Sequence, residues 1–188
     1  MPKLVIGVVG MPGAGKSLVA SLAEESGISV VIMGDVIREE ALLRGLELTS
    51  ENIGQVMLNI RSKEGPAVVA KRCIPKINSK KSNIVLVEGV RSLDEVIEFK
   101  RNFTVFKLLA VHSSPQTRFT RLFNRNRSDD PVSKRVFEQR DARELSVGIG
   151  SAIAMADHVI VNECNKKEFL EKVSLLLSKI TQDPCGAQ

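Results

Sequence analysis

Residues 5–20 read VIGVVGMPGAGKSLVA and contain the stretch that decides the fold. The apolar, β-branched run 4–9 predicts a buried strand, and residues 16–25 predict a helix. Between them, GMPGAGKS at 10–17 matches the pattern G-x-x-x-x-G-K-[ST]. Glycines let such a loop turn its backbone N–H groups toward phosphate oxygens, and the following helix adds its positive end. An ordinary glycine-rich turn is the alternative, but the stretch favours a loop that binds a nucleoside triphosphate.

Each part of this loop has an expected role. We expect Lys16 to reach the β- and γ-phosphates as a catalytic group, and Ser17 to bind Mg²⁺. ATP and Mg²⁺ are therefore the predicted cofactors. The loop residues predicted to surround ATP are Gly10, Pro12, Gly13, Ala14, Gly15, Lys16, Ser17 and Leu18.

The composition narrows the class of protein. The chain has 188 residues, 43% of them hydrophobic and 26% charged, which favours a single soluble domain. No run approaches the ~20 apolar residues of a membrane span, and no signal cleavage pattern appears, so we expect a cytoplasmic protein. A net charge of +5 fits a phosphate-bearing ligand. Nucleic acid is a weaker expectation, because Trp and Tyr, the usual stacking residues, are absent.

The spacing of the cysteines and histidines indicates neither a disulfide nor a metal site. The three cysteines have no C-x-x-C spacing, and the two histidines are far apart in the sequence. These patterns favour neither a disulfide framework nor a zinc site. The sequence gives no indication of the oligomeric state.

Strands and helices alternate along the chain, which predicts an α/β fold with a parallel sheet covered by helices on both faces. The further predicted strands are 28–33, 84–87, 105–111 and 158–161. The further predicted helices are 35–44, 50–63 with Ser50 as its N-cap, 66–78, 92–101, 115–124, 131–145 and 166–180. We expect one domain, 1–188, in which a helical segment at 35–79 and an arginine-rich segment at 125–146 cover one active site.

Four short motifs resemble adenylate kinase and related nucleoside monophosphate kinases. MGDVIR at 33–38 resembles their GDxxR segment, and VEGVR at 87–91 resembles their DGxPR segment. Arg121 and Arg125 resemble the two arginines that open the lid, and RSDD at 127–130 resembles the lid's RxDD.

The C-terminal part has a second resemblance. ADHVIVNE at 156–163 is similar to dephospho-coenzyme A kinase. End to end, the chain resembles a small archaeal group of adenylate-kinase-related proteins whose substrate is not settled. The resemblance implies a three-layer P-loop NTPase fold with a five-stranded parallel sheet in the order 2-3-1-4-5.

The resemblance also implies a second, phosphate-bearing substrate. Arg38 and Arg91 would grip its phosphate bidentately, and Glu88, at the end of the third strand, would hold Mg²⁺ through water. Seven arginines lie between 118 and 143, and a set of them would close over the γ-phosphate and exclude water. The predicted acceptor-binding residues are Asp35, Arg38, Gly89, Arg91 and Glu95; the catalytic lid residues are Arg125 and Arg127; and Arg121 and Asn162 are expected at the ATP base.

Departures from the family pattern leave alternatives open. Met33 stands where Thr or Ser is usual, Glu88 replaces an Asp, and Glu95 replaces a Gln. Glu95 could accept a hydrogen bond from an exocyclic amine, exclude adenine, or complete a helix capping box begun at residue 92. Other structural roles are a solvated charge at Arg38, a loop cap at Arg91, an ion pair at Glu88 and a turn at Asn162.

The predicted function is an ATP-dependent transfer of the γ-phosphate to a small phosphate-bearing acceptor, most directly a nucleoside monophosphate, with AMP first. The N-K-x-D motif of switch GTPases is absent. The alternatives are a metabolite kinase similar to dephospho-coenzyme A kinase, and a slow ATPase acting in RNA or ribosome assembly. A kinase needs both Arg38 and Arg91, whereas such an ATPase could lose either.

Overall fold

A five-stranded, wholly parallel sheet in the order β2-β3-β1-β4-β5 forms the centre of the molecule. The structure is a computed structural model that describes residues 2–125, 127 and 130–183. The predicted fold class and strand order are confirmed. The strands are β1 (Leu4–Val9), β2 (Ser29–Ile32), β3 (Ile84–Val90), β4 (Val105–His112) and β5 (His158–Val161).

Helices connect the strands, and most lie near their predicted positions. No helix in the described part of the chain is long and apolar enough to cross a membrane. The helices are α1 (Lys16–Glu25), α2 (Met33–Leu43), α3 (Ser50–Glu64), α4 (Val68–Asn78), α5 (Leu93–Asn102), α6 (Pro115–Arg125), α7 (Lys134–Val147), α8 (Ile149–Ala154) and α9 (Lys166–Gln182).

Three local expectations need correction. Met33 begins α2 instead of ending β2. Thr49, not Ser50, caps α3, because its Oγ1 accepts the N–H of Asn52 at 3.2 Å. The short helix α8 was not predicted, since it is only 6 residues long and too short to show a helical period.

The two faces of the sheet explain the unbroken apolar run of β1. Val5 and Val9 pack into a core beneath α2, α3, α4, α5 and α8, whereas Ile6 and Val8 pack into a second core beneath α1 and α9. A parallel strand covered on both faces must be apolar at every position, not at alternate ones.

The register of the sheet brings three chain segments to one edge. Val9, the last residue of β1, pairs with Val90 of β3 and with Ala110 of β4. The loop after β1, the segment after β3 and the segment after β4 therefore leave the sheet side by side. Ligands of open α/β sheets bind at this carboxyl edge.

Candidate active site

The glycine-rich loop connects β1 to α1 as predicted. Gly13 and Gly15 have φ angles of 81° and 109°, in the left-handed region that glycine adopts without strain. The ammonium group of Lys16 curls back over the loop and donates to the carbonyl oxygens of Gly10 at 2.7 Å and Met11 at 3.2 Å. The lysine is therefore held over the loop, at the position where loops of this pattern surround a phosphate.

Asn162 supports this loop from behind and does not line the cavity. Its Nδ2 donates to the carbonyl oxygen of Ala14 at 2.9 Å, and its Oδ1 accepts from Arg121 at 3.2 Å. The side chain is almost fully buried. A Cβ added at Gly15 would lie 2.3 Å from the same Nδ2. Asn162 was expected to contact the base of ATP. In this structure it instead connects the end of β5 to the glycine-rich loop.

A cavity of about 440 Å³ opens above the loop. Residues of α2 and α3 form one wall, and residues of α6 and α7 form another. Most of the predicted site residues meet here. Those in its lining are Pro12, Gly13, Gly15, Lys16, Ser17, Leu18, Arg38, Glu88, Gly89, Arg91, Arg121, Arg125 and Arg127.

Four other predicted site residues also lie outside this lining. Gly10 and Ala14 are part of the loop itself, and Ala14 is fully buried. Asp35 instead pairs with Arg38 at 2.6 Å on the same helix. Glu95 is the fourth of these, and it is buried below the cavity.

The position of Glu95 corrects the expectation that it binds the acceptor. Its Oε1 accepts from Arg61 at 2.6 Å, and its Oε2 accepts the backbone N–H of Arg91 at 2.7 Å. Ser92 caps α5 as the sequence indicates, but Glu95 bonds to the N–H of Arg91 and not to that of Ser92. Burial raises the pKa of Glu95, and Arg61 opposes that rise. Both carboxylate oxygens are engaged, so this side chain positions the segment that carries Arg91.

Among the ion pairs of the arginine-rich segment 125–146, one joins it to Arg118 of α6, and another lies within the segment. Arg118 is buried, donates to the carbonyl oxygen of Pro12 at 3.1 Å, and binds both carboxylate oxygens of Asp141 on α7. Arg125 binds both carboxylate oxygens of Asp130. Of the predicted RSDD motif, residues 128 and 129 lie outside the described residues.

The sequence did not single out several residues that line the cavity. Ile37, Ile53 and Met57 form an apolar wall, and Arg140, Arg143 and Glu144 come from α7. The two arginines belong to the predicted arginine-rich stretch, but that stretch is charged throughout. No apolar stripe on α7 indicates which charged side chains face inward.

Arg143 crosses from α7 to α3, where a glycine makes room for it. Its Nη1 donates to the carbonyl oxygen of Ser50 at 3.0 Å, and a Cβ at Gly54 would lie 1.4 Å from the same nitrogen. The absence of a side chain at Gly54 therefore allows the Arg143 guanidinium to approach α3 closely, which the sequence alone does not reveal.

We expect Gly54→Ala to displace Arg143 without unfolding the protein. The added methyl group overlaps only the end of the flexible Arg143 side chain. In a helix interior, alanine is more stable than glycine by about 1 kcal/mol. The melting temperature should stay level or rise. Because Arg143 lines the cavity, the KM for the substrate that the cavity binds should increase several-fold. Gly150→Ala, at a helical glycine of α8 where an added Cβ makes only an ordinary contact, is the matched control for this KM. An unchanged KM in Gly54→Ala would show that Arg143 does not contact the substrate in the cavity.

Charges around Lys16 set the electrostatics of the cavity. Burial lowers the pKa of Lys16 to about 8, and Glu88 partly opposes this effect. An incoming phosphate therefore restores a full positive charge to the loop. The described residues contain no cluster of three or more His, Cys, Asp or Glu that would hold a metal by itself. Ser17 and Glu88, which both line the cavity, fit a Mg²⁺ ion that takes its other ligands from phosphate and water.

The sheet order, the phosphate-binding loop and the arginine-lined cavity define a P-loop protein with a kinase-like fold. A family model described as "AAA domain" matches residues 9–138, more than half of the chain. A UPF0200 protein of Hyperthermus butylicus is 48% identical over 95% of this chain and 96% of its own. The chain belongs to this UPF0200 family of AAA-domain proteins.

Solved structures support the same fold. TT1252 from Thermus thermophilus aligns with a TM-score of 0.64 and 21% identity, over 96% of this chain and 99% of its own. A shikimate kinase from Acinetobacter baumannii, solved with shikimate, aligns with a TM-score of 0.57 and 19% identity, over 98% of this chain and 96% of its own. At these identities the likeness shows the fold alone.

Proposed function

We propose that the protein transfers the γ-phosphate of ATP, in a Mg²⁺-dependent reaction, to a small phosphate-bearing acceptor. The observation that carries this proposal is that one cavity brings the glycine-rich loop together with Arg38 and Arg91, which come from two other segments. A nucleoside monophosphate is the proposed acceptor class, with AMP first. Because ATP is the donor, we propose that the reaction takes place in the cytoplasm.

The donor half of the site would use the loop and its neighbours. Backbone N–H groups and Lys16 would bind the β- and γ-phosphates. Mg²⁺ would be held by the Ser17 hydroxyl and, through water, by Glu88, and would neutralise charge on the phosphate oxygens. Arg121, which lies at the cavity wall beside Asn162, would contact the base or the phosphates.

The acceptor half would use the wall formed by α2 and α3, together with the segment after β3. Arg38 and Arg91 present planar guanidinium groups suited to a phosphate dianion. Ile37, Ile53 and Met57 offer an apolar surface of the kind that a planar base packs against. We therefore propose that residues 35–79 form the acceptor-binding segment.

Closure would complete the site. We propose that residues 125–146, which include the arginines at 125 and 127, act as a lid over the transferred phosphoryl group. Arginines supplied at that moment stabilise the developing charge, and exclusion of water prevents hydrolysis of ATP.

The test is a survey of acceptors with Mg-ATP. The protein is incubated separately with AMP, CMP, UMP, GMP and dephospho-coenzyme A, and both ATP loss and new phosphorylated product are measured. We expect product from one of them, with turnover reduced about 100-fold or more in Arg38→Ala and in Arg91→Ala. Arg101→Ala, which changes an exposed arginine of α5, is the matched control.

The result also separates the alternatives. Product from dephospho-coenzyme A alone would select the metabolite-kinase alternative. ATP consumption at one slow rate with every acceptor would reject the proposed kinase. Salt-sensitive affinity for RNA would then support the ATPase of RNA or ribosome assembly.

A further inference from the structure

We infer that the carboxylate of Glu144 marks an anion subsite at Arg91, which a phosphate group of the acceptor occupies by displacing Glu144. The inference rests on the proposed function in one respect, namely that Arg91 binds the acceptor. Glu144 is then an internal competitor that lowers the affinity of the site for anions.

The first observation is the contact itself. Glu144 lies on α7 and lines the cavity, and its Oε1 accepts a hydrogen bond from Nη1 of Arg91, the residue directly after β3. The side chain of Glu144 is only 5% exposed, whereas that of Arg91 is 27% exposed. The guanidinium is therefore reachable from the cavity while a carboxylate of the protein already occupies one of its donors.

The second observation is that this ion pair is incomplete. Oε2 of Glu144 is buried and has no hydrogen-bond partner among the described residues. Two other buried carboxylates, those of Glu95 and Asp130, differ from Glu144 because both of their oxygens accept hydrogen bonds. A buried carboxylate oxygen without a donor is costly, so the Glu144 contact is a weak competitor, which a phosphate that accepts from two guanidinium donors can replace.

The third observation is the charge around the contact. The pKa of Lys16 is affected by both Arg91 and Glu144, so these three groups lie within electrostatic reach of one another. Phosphate bound at Lys16 places negative charge near Glu144 and repels it. Nucleotide on the loop and acceptor anion on Arg91 therefore favour the same displacement.

The contact also connects anion binding to the lid segment. Arg140, Arg143 and Glu144 follow the i, i+3, i+4 spacing of one helix face, and all three line the cavity. When an anion replaces Glu144 on Arg91, that face of α7 loses its bond to the segment after β3, while its two arginines still line the cavity. Binding of the acceptor phosphate at Arg91 and release of α7 from Arg91 therefore occur together.

The test measures anion affinity after neutralising Glu144. Inorganic phosphate and AMP are titrated calorimetrically into wild type and Glu144→Gln, with the loop saturated by Mg-ADP. We expect Glu144→Gln to bind phosphate and AMP about tenfold more tightly, within the usual range for coupled sites. Glu138→Gln, which neutralises an exposed acid of the same helix, should leave both affinities unchanged. Adding Arg91→Ala to Glu144→Gln should abolish the gain.

Each other outcome has a definite meaning. Equal or weaker anion binding in a folded Glu144→Gln overturns the inference, as does the absence of measurable phosphate binding in both proteins. Turnover lost at unchanged affinity would make Glu144 a catalytic base and also overturn it. If Glu144→Gln does not fold, Glu144→Asp, which withdraws the charge from Arg91, should tighten binding in the same direction.

The inference and the proposed function fail separately. Tighter phosphate binding in Glu144→Gln, with no product from any acceptor, would reject the kinase and leave the subsite in place. Product formation with anion affinity unaffected by Glu144→Gln would retain the kinase and reject the subsite.

Discussion

Replacing Lys16 by methionine is expected to lower ATP turnover by about three orders of magnitude or more. The ammonium group is held over the loop by the carbonyl oxygens of Gly10 and Met11, at the mouth where the phosphates would enter. Methionine keeps much of the volume and removes the charge that would stabilise the transferred phosphoryl group. Steady-state ATP consumption, measured with and without acceptor, checks the prediction.

Lys167→Met, on the exposed surface of α9, is the matched control and should retain full turnover. If Lys16→Met kept a tenth of the activity, the loop would not be the site of chemistry.

The affinity for nucleotide should depend on pH through the ionisation of Lys16. Burial lowers the pKa of Lys16 to about 8, so the neutral amine predominates above that pH. Phosphate binding favours the charged form, and the protein must therefore take up a proton when it binds ADP at high pH. Affinity should fall by up to about tenfold per pH unit above 8 in wild type. In Lys16→Met, the affinity should be insensitive to pH over this range.

Glu95→Ala is expected to lower the free energy of unfolding by about 3–5 kcal/mol. The carboxylate is fully buried and satisfies both Arg61 and the backbone N–H of Arg91. Its removal leaves a buried guanidinium without a counter-charge and an N–H without an acceptor. Urea unfolding followed by circular dichroism measures the change.

Two further variants define this effect. Glu98→Ala, a partly exposed acid on the same helix, should change stability by less than about 0.5 kcal/mol. Replacing both partners by apolar residues, Arg61→Met with Glu95→Leu, should recover much of the loss because no charge remains buried alone. A Glu95→Ala protein within about 1 kcal/mol of wild type would contradict the predicted role of the pair.

Much of the fold was predictable because its signals are local. A buried parallel strand is apolar at every position, and the loop pattern at 10–17 requires glycines at fixed spacing before a lysine. The strand order 2-3-1-4-5 then followed from the resemblance and is confirmed. The presence of Lys16 and Arg91 in the lining of one cavity was predictable for a related reason: each belongs to a motif that follows a strand, and the strand ends meet at one edge of the sheet.

The sequence by itself therefore determined the parallel sheet, the phosphate-binding loop and the segments that border the cavity. Only the tertiary structure decided what each charged residue does. Glu95, expected beside a ligand, is buried against Arg61, and Glu144 occupies Arg91 although the two are 53 residues apart. A carboxylate looks the same in sequence whether it faces solvent, ligand or an arginine, because its partner is set by how distant helices pack.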